Sequence, residues 1–164
     1  MLQAAPALPV DTPVQPEAAR HKHAVDALVE AAFGPGRYAK TAERLREGSR
    51  PTAGFVVETQ GEVTGAVRLW PIVVGETPAL FLGPIAVDAG RRGDGQGAAL
   101  VQACLDHARA THASGVLLVG DPPYFQRFGF VAAPDVTLPG PVDRRRVLWA
   151  PVTQASAAGA VRAG

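Results

Sequence analysis

Residues 82–110 read LGPIAVDAGRRGDGQGAALVQACLDHARA. The stretch opens inside an apolar run, ALFLGPIAV at 79–87, whose lack of alternation predicts a strand covered on both faces. Gly83-Pro84 interrupts that run, and a proline cannot donate to a ladder, so a bulge or local unpairing is expected there. After the strand come Arg91-Arg92-Gly93-Asp94-Gly95-Gln96-Gly97, and a helix from about Gly97 to His112 follows at once. Leu100, Val101, Cys104, Leu105 and Ala108 form its apolar stripe. Three glycines at alternate positions let backbone N–H groups face one point. The helix start adds unpaired donors and the positive end of a dipole, a combination suited to phosphate or pyrophosphate. The same spacing also fits a plain glycine-rich turn. No Gly-Lys-Ser/Thr follows, which excludes a P-loop, and the third-glycine spacing of a dinucleotide fingerprint is missing.

Working outward, the pattern mixes α and β. Upstream, Val25, Leu28, Val29 and Ala32 place one apolar stripe on a helix over Glu17 to Phe33, stopped by Gly34-Pro35-Gly36. A shorter helix is expected over about Lys40 to Glu47. Phe55–Thr59 and Val63–Val74 flank Gln60-Gly61-Glu62 as a hairpin, and Gly75-Glu76-Thr77-Pro78 turns into Ala79–Val87. Downstream, Gly115–Val119 reads as a strand, Pro122–Phe128 as one or two helical turns, and Phe130–Ala133 and Val147–Val152 as late strands. A parallel crossover links Ile85 to Val119. Residues 1–16, with four prolines, read as a loose arm in which Ala7–Val10 could lie on a sheet edge. Residues 153–164 read as a flexible tail, leaving 17–152 as a single domain.

Composition narrows the function classes. The chain has 164 residues, enough for about one domain. Sixteen Lys and Arg against 15 Asp and Glu give a net charge of +1, which argues against a general nucleic-acid or anionic-membrane binder. One cysteine excludes an internal disulfide and a multi-cysteine zinc site, and a cytoplasmic location is expected. No apolar run reaches 18 residues, so no transmembrane helix is expected, and MLQAAPALPVDTPVQP is a poor signal peptide. No metal is expected either: His21 and His23 are two apart and point to different faces of a helix.

The loop Arg92-x-x-Gly95-x-Gly97, after a strand ending Ile85-Ala86-Val87, resembles the acetyl-CoA pyrophosphate loop of the GNAT N-acetyltransferases. The likeness continues in VLLVGDPPYFQRFGF at 116–130, which is similar to the second signature of that family. Ala32-Phe33-Gly34-Pro35, Lys40-Thr41, Gly65 to Pro71 and Leu82 to Val87 resemble its YhbS-like branch, so the match spans roughly 17–150. The resemblance implies an α+β GNAT fold: a mixed, mostly antiparallel twisted sheet with one parallel splayed strand pair, flanked by helices.

It also implies a function, namely transfer of acetyl from acetyl-CoA directly to a primary amine of a small molecule or protein, by a monomer or homodimer. Ile85, Ala86 and Val87 would bind the pantetheine arm. The amides of Arg92, Gly93, Asp94, Gly95, Gln96, Gly97 and Ala98 would hold the pyrophosphate, and Phe125 would also touch the cofactor. The family often places a tyrosine acid four residues before the closing glycine. That position here is Phe125, with Tyr124 one residue upstream, about 100° round a helix. Tyr124 is the expected acid, unless water supplies the proton or turnover is slow. Asp121 is the candidate to accept a proton through water or to pair with a cationic acceptor; it could instead cap the following turn. Glu58, Glu76 and Arg68 are further candidates for an acceptor site. Phe125 at the usual acid position keeps open the alternative of an acyl-CoA-binding regulatory module with little turnover.

Overall fold

The computed structural model describes residues 13–34, 45–46, 48–91 and 95–164. The expected helix over Lys40 to Glu47, the possible strand at Ala7–Val10 and the loop residues Arg92, Gly93 and Asp94 fall wholly or largely outside them. Among these residues nine strands form the sheet: β1 (Val14–Pro16), β2 (Ala53–Thr59), β3 (Glu62–Val74), β4 (Thr77–Val87), β5 (Gly115–Val119), β6 (Val131–Ala132), β7 (Val136–Thr137), β8 (Val147–Pro151) and β9 (Gly159–Ala163). Among the described residues three α-helices join them: α1 (Lys22–Phe33), α2 (Gln96–Ala110) and α3 (Pro122–Gln126). The main order is β1-β2-β3-β4-β5-β8-β6, and β9 pairs both β3 and β7. Neighbours run antiparallel except β4–β5 and β7–β9.

Side-chain alternation distributes the core to both faces of this sheet. Val57, Val67, Leu80, Leu82, Val116 and Leu118 meet the α2 stripe of Leu100, Val101, Cys104, Leu105 and Ala108. Their neighbours Val56, Ala66 and Ala86 face the other way and meet Val25 and Val29 of α1. Phe81, Leu117 and Trp149 belong to a third cluster, with Trp70, Ile72 and Leu45. Leu80 to Leu82 are therefore buried on both sides of the sheet, as the unbroken apolar run requires. Both tryptophans are buried with their indole N–H groups donating, Trp70 to the Gly83 carbonyl and Trp149 to that of Gln154.

Two segments differ from expectation. The helix expected from Glu17 starts at Lys22, after a 3₁₀ turn over Ala19–His21, because Glu17 is drawn to the sheet. Its N–H donates to the Gly54 carbonyl and its carboxylate grips Arg68. The C-terminal tail is not free over its length: β9 pairs Val161, Arg162 and Ala163 with Val74, Val73 and Ile72 of β3. The cause lies in β3, whose 13 residues outrun β2; β2 covers Glu62 to Leu69 and leaves the far end with open backbone groups. At the opposite end of the chain, Val14–Pro16 is an edge strand on β2.

Candidate active site

The parallel pair β4–β5 is two residues long, Leu80 opposite Val116 and Phe81 opposite Leu117. Beyond it the strands part. β4 continues to Val87 on β3, while β5 stays with β8 up to Val119. The edge of Ile85–Val87 that faces β5 has no strand partner among the described residues. A bulge marks the parting: Gly83 and Pro84 together oppose Arg68, between the pairs Leu69–Leu82 and Val67–Ile85. Trp70 Nε1 donates to the Gly83 carbonyl at 2.6 Å and so satisfies a group the bulge takes out of the ladder. A cavity of about 670 Å³ opens in the gap, with Leu82 to Ile85 on one wall and Leu118 to Asp121 on the other.

The start of α2 lies beside this gap. Gly95 is its N-cap at φ +90°, a conformation that disfavours any side chain, so the turn into the helix needs glycine there. No side chain caps the first turn, whose backbone donors are the ones expected to meet a pyrophosphate. The Gln96 side chain points inward and is buried, its Oε1 accepting from Thr64 Oγ1 at 3.0 Å. Gly97 and Ala98 are half-buried in the first turn. A Cβ at Gly97 would stand 3.4 Å from the Tyr124 hydroxyl, so that hydroxyl reaches the helix start.

Tyr124 and Phe125 sit side by side on α3 and diverge. Phe125 turns to the core beside Gly120 and meets Phe130 edge-on, with ring centres 5.6 Å apart; part of it lines the cavity. Tyr124 turns toward α2, its ring under the Arg127 guanidinium at 4.2 Å. Asp121 occupies the N-cap position but its carboxylate caps nothing. The reason is local: Pro122 and Pro123 have no N–H, and the next donor, Tyr124 N–H, bonds the Asp121 main-chain oxygen. The carboxylate is left exposed on the cavity wall. Ile85, Asp121 and Phe125 thus share the cavity, while Gly97 and the Tyr124 hydroxyl meet at its α2 side.

The model of a family described as Acetyltransferase (GNAT) family matches residues 21–130. The chain belongs to the GNAT family and is an N-acetyltransferase of it. Among curated GNAT proteins, the uncharacterized N-acetyltransferase YhbS of Escherichia coli K12 is 33% identical over 129 residues, 77% of this chain and 71% of that protein. A structure of E. coli YhbS in complex with CoA superposes with a TM-score of 0.80 at 28% identity, covering 99% of this chain and 94% of that one. A GNAT acetyltransferase from Brucella melitensis in complex with acetyl-CoA gives a TM-score of 0.74 at 26% identity, over 93% and 96% of the two chains. The splayed β4–β5 pair and flanking helices are the GNAT fold that the sequence resemblance implied.

The acceptor-site candidates Arg68, Glu58 and Glu76 lie outside the cavity lining. Arg68 forms a two-pronged pair with Glu17, at 3.0 and 2.8 Å, and reaches Asp26 at 3.3 Å. The pair with Glu17 outweighs burial and raises the Arg68 pKa. Glu58 takes hydrogen bonds from Gln15, Arg20 and the His21 ring. The buried His21 accepts the Ala18 N–H at Nδ1, which leaves the proton on Nε2 for Glu58. Glu76 sits in the β3–β4 turn, away from the cavity. Among the described residues no His, Cys, Asp and Glu cluster could hold a metal, and no helix is long and apolar enough to cross a membrane. Burial pushes the Cys104 thiol far up, as an inert core residue. The run Arg144-Arg145-Arg146 does not act together: Arg144 binds the Pro134 carbonyl, Arg145 pairs with Asp143, and Arg146 lies over Gly120 at the cavity. Phe33, which lies in a branch motif, also lines the cavity, as do Arg46, Pro141 and Val142, which no motif marks in the sequence.

Proposed function

We propose that this GNAT enzyme binds acetyl-CoA in the β4–β5 gap and transfers its acetyl group directly to a primary amine. The observation that carries this reading is the unpaired edge of Ile85–Val87 beside a helix start capped by Gly95. A pantetheine arm can add to that edge as a strand would, while the first-turn amides take the pyrophosphate. The CoA-bound and acetyl-CoA-bound relatives of similar fold support the assignment.

The remaining chemistry asks little of the protein. A free alkyl amine has a pKa of about 10.4 and must shed a proton at pH 7 before it attacks. Asp121, exposed on the cavity wall, takes that proton directly or through water. As the C–N bond forms and the C–S bond breaks, a backbone N–H of Ile85–Val87 stabilises charge on the carbonyl oxygen. The departing thiolate, with a pKa of about 8.5, takes a proton from Tyr124, the one hydroxyl on α3. No covalent enzyme intermediate is involved.

Two measurements test the proposal. Acetyl-CoA at about 100 times its Kd should stabilise the fold by roughly 2.7 kcal/mol, ADP less, and an Arg92→Glu variant should lose the effect. Tyr124→Phe should then lower kcat by about 10²-fold or more; a rate within about twofold of the parent removes Tyr124 as the acid. Stabilisation with no transfer to any amine would favour the second reading, an acyl-CoA-binding module, which Phe125 at the family's usual acid position supports.

A further inference from the structure

We infer that the acceptor is a zwitterion of the α-amino-acid type, its ammonium facing Asp121 and its carboxylate held by Arg146. The inference deepens the proposed function and rests on it. Gly120 ties the two residues together. Its N–H donates to the Arg146 carbonyl at 2.9 Å, and its own carbonyl accepts from Arg146 Nε at 3.4 Å. One main-chain and one side-chain bond thus set Arg146 beside the residue before Asp121, just past the Val119–Val147 end of the β5–β8 ladder.

Both side chains line the cavity and both are exposed, yet neither neutralises the other. Among the described residues the Asp121 carboxylate makes no hydrogen bond or ion pair, and the Arg146 guanidinium has one hydrogen bond, to the Gly120 carbonyl. Four of the five donors of Arg146 are therefore open to a ligand. The nearby Asp143 is engaged by Arg145, which holds both of its oxygens at 3.1 Å and, with a smaller contribution from the Arg146 charge, keeps its pKa low. A carboxylate and a guanidinium on one cavity wall, not paired with each other, complement a ligand that carries an ammonium and a carboxylate on one carbon. Guanidinium suits a carboxylate in particular, since its planar fork can meet two oxygens.

The rest of the lining joins Arg46 and Asp143 to apolar side chains. Phe33, itself 39% exposed, Phe81, Pro84 and Val142 give the acceptor's side chain a greasy surface. An amino acid with an apolar or aromatic side chain fits these walls, and its α-amine is the group acetylated.

The probes are L-phenylalanine, L-phenylalaninamide and phenethylamine, which keep the ring and amine and differ in the carboxylate. Initial rates with acetyl-CoA should give phenylalanine the lowest KM by about 10–100-fold, the scale of a lost charge-assisted pair. Arg146→Gln should remove that preference, raising KM for phenylalanine while KM for phenethylamine and for acetyl-CoA stays within about twofold. Arg146→Lys should restore part of it. Equal KM values for the three acceptors, or an Arg146→Gln effect shared by all of them, would overturn the inference. No transfer to any probe while acetyl-CoA still stabilises the fold would also overturn it, leaving cofactor binding intact. Failure of acetyl-CoA to stabilise the parent chain would sink both readings.

Discussion

Gly120→Ala tests the link between packing and the site in one methyl group. Gly120 does not have a positive φ, so alanine suffers no backbone strain there. By itself the change should stabilise the fold by about 0.4–1 kcal/mol, through a less flexible unfolded chain. Space decides otherwise. A Cβ at Gly120 would fall 2.9 Å from Phe125 Cδ2 and 3.0 Å from Leu118 Cδ1, and it would collide with Phe125 Cε2. Leu118 is buried in the core, so the Phe125 ring must yield. That ring meets Tyr124, Phe128 and Phe130, and its displacement rotates α3 and carries the Tyr124 hydroxyl away from Gly97. Overpacking of this kind costs about 1–3 kcal/mol. At about 2–4 °C per kcal/mol for a chain of this size, Tm should fall by about 2–12 °C. Thermal unfolding measures the loss, and steady-state kinetics should show kcat falling with it. Phe125→Leu makes room, so Gly120→Ala should cost less in that background, with a coupling of about 0.5–3 kcal/mol. A Tm that rises with Gly120→Ala, or an equal cost in both backgrounds, would refute the reasoning.

Other expectations concern the scaffold. Arg68→Met should cost about 3 kcal/mol, because it strands the nearly buried Glu17 carboxylate; adding Glu17→Met should recover much of the loss in a denaturant titration. Around Glu58, desolvation pulls the pKa up, but hydrogen bonds from Gln15, Arg20 and His21 outweigh it and hold the group below its ordinary 4.5. A depressed folded pKa stabilises above the unfolded value and is lost as pH falls through the folded one. The Tm gap between the parent and Glu58→Gln should therefore be full at pH 7 and close progressively as pH falls below 4.5; a constant gap would contradict this. Cys104, buried with its thiol pushed far up, should react with a disulfide reagent only after unfolding, so thiol-based assays of released CoA carry no background from the native protein.

Much of this protein is legible along the chain because the informative patterns are local. The strand at 79–87, the glycine turn and the α2 stripe lie within some 30 consecutive residues, and periods of 2 and 3.6 report their faces directly. Gly83-Pro84 announces its bulge because proline lacks a donor, and Gly95 announces its turn because only glycine takes φ +90° at little cost. The second signature at 116–130 likewise placed Asp121, Tyr124 and Phe125 on one short segment. Sequence alone thus determined the family, the fold and the candidate cofactor loop.

Tertiary structure decided what no local pattern carries. Strand β9 reads as a tail because Gly159–Ala163 consists mostly of small residues around a single Val161; it pairs because β3 outruns β2 and leaves backbone groups to be satisfied. The roles of Arg68 and Glu58 turned on partners 51 and 37 to 43 residues away. The far wall of the cavity comes from Phe33, Arg46 and the segment around Val142 to Arg146, which no spacing rule connects. Whether Asp121 caps its helix or faces the cavity depended on which donors the next turn offers. Two prolines remove the first of them, and the helix's own backbone takes the next. Motifs record what a segment can do, while partners distant in sequence settle which of those options is used, because burial and hydrogen bonding are satisfied only once the chain is folded.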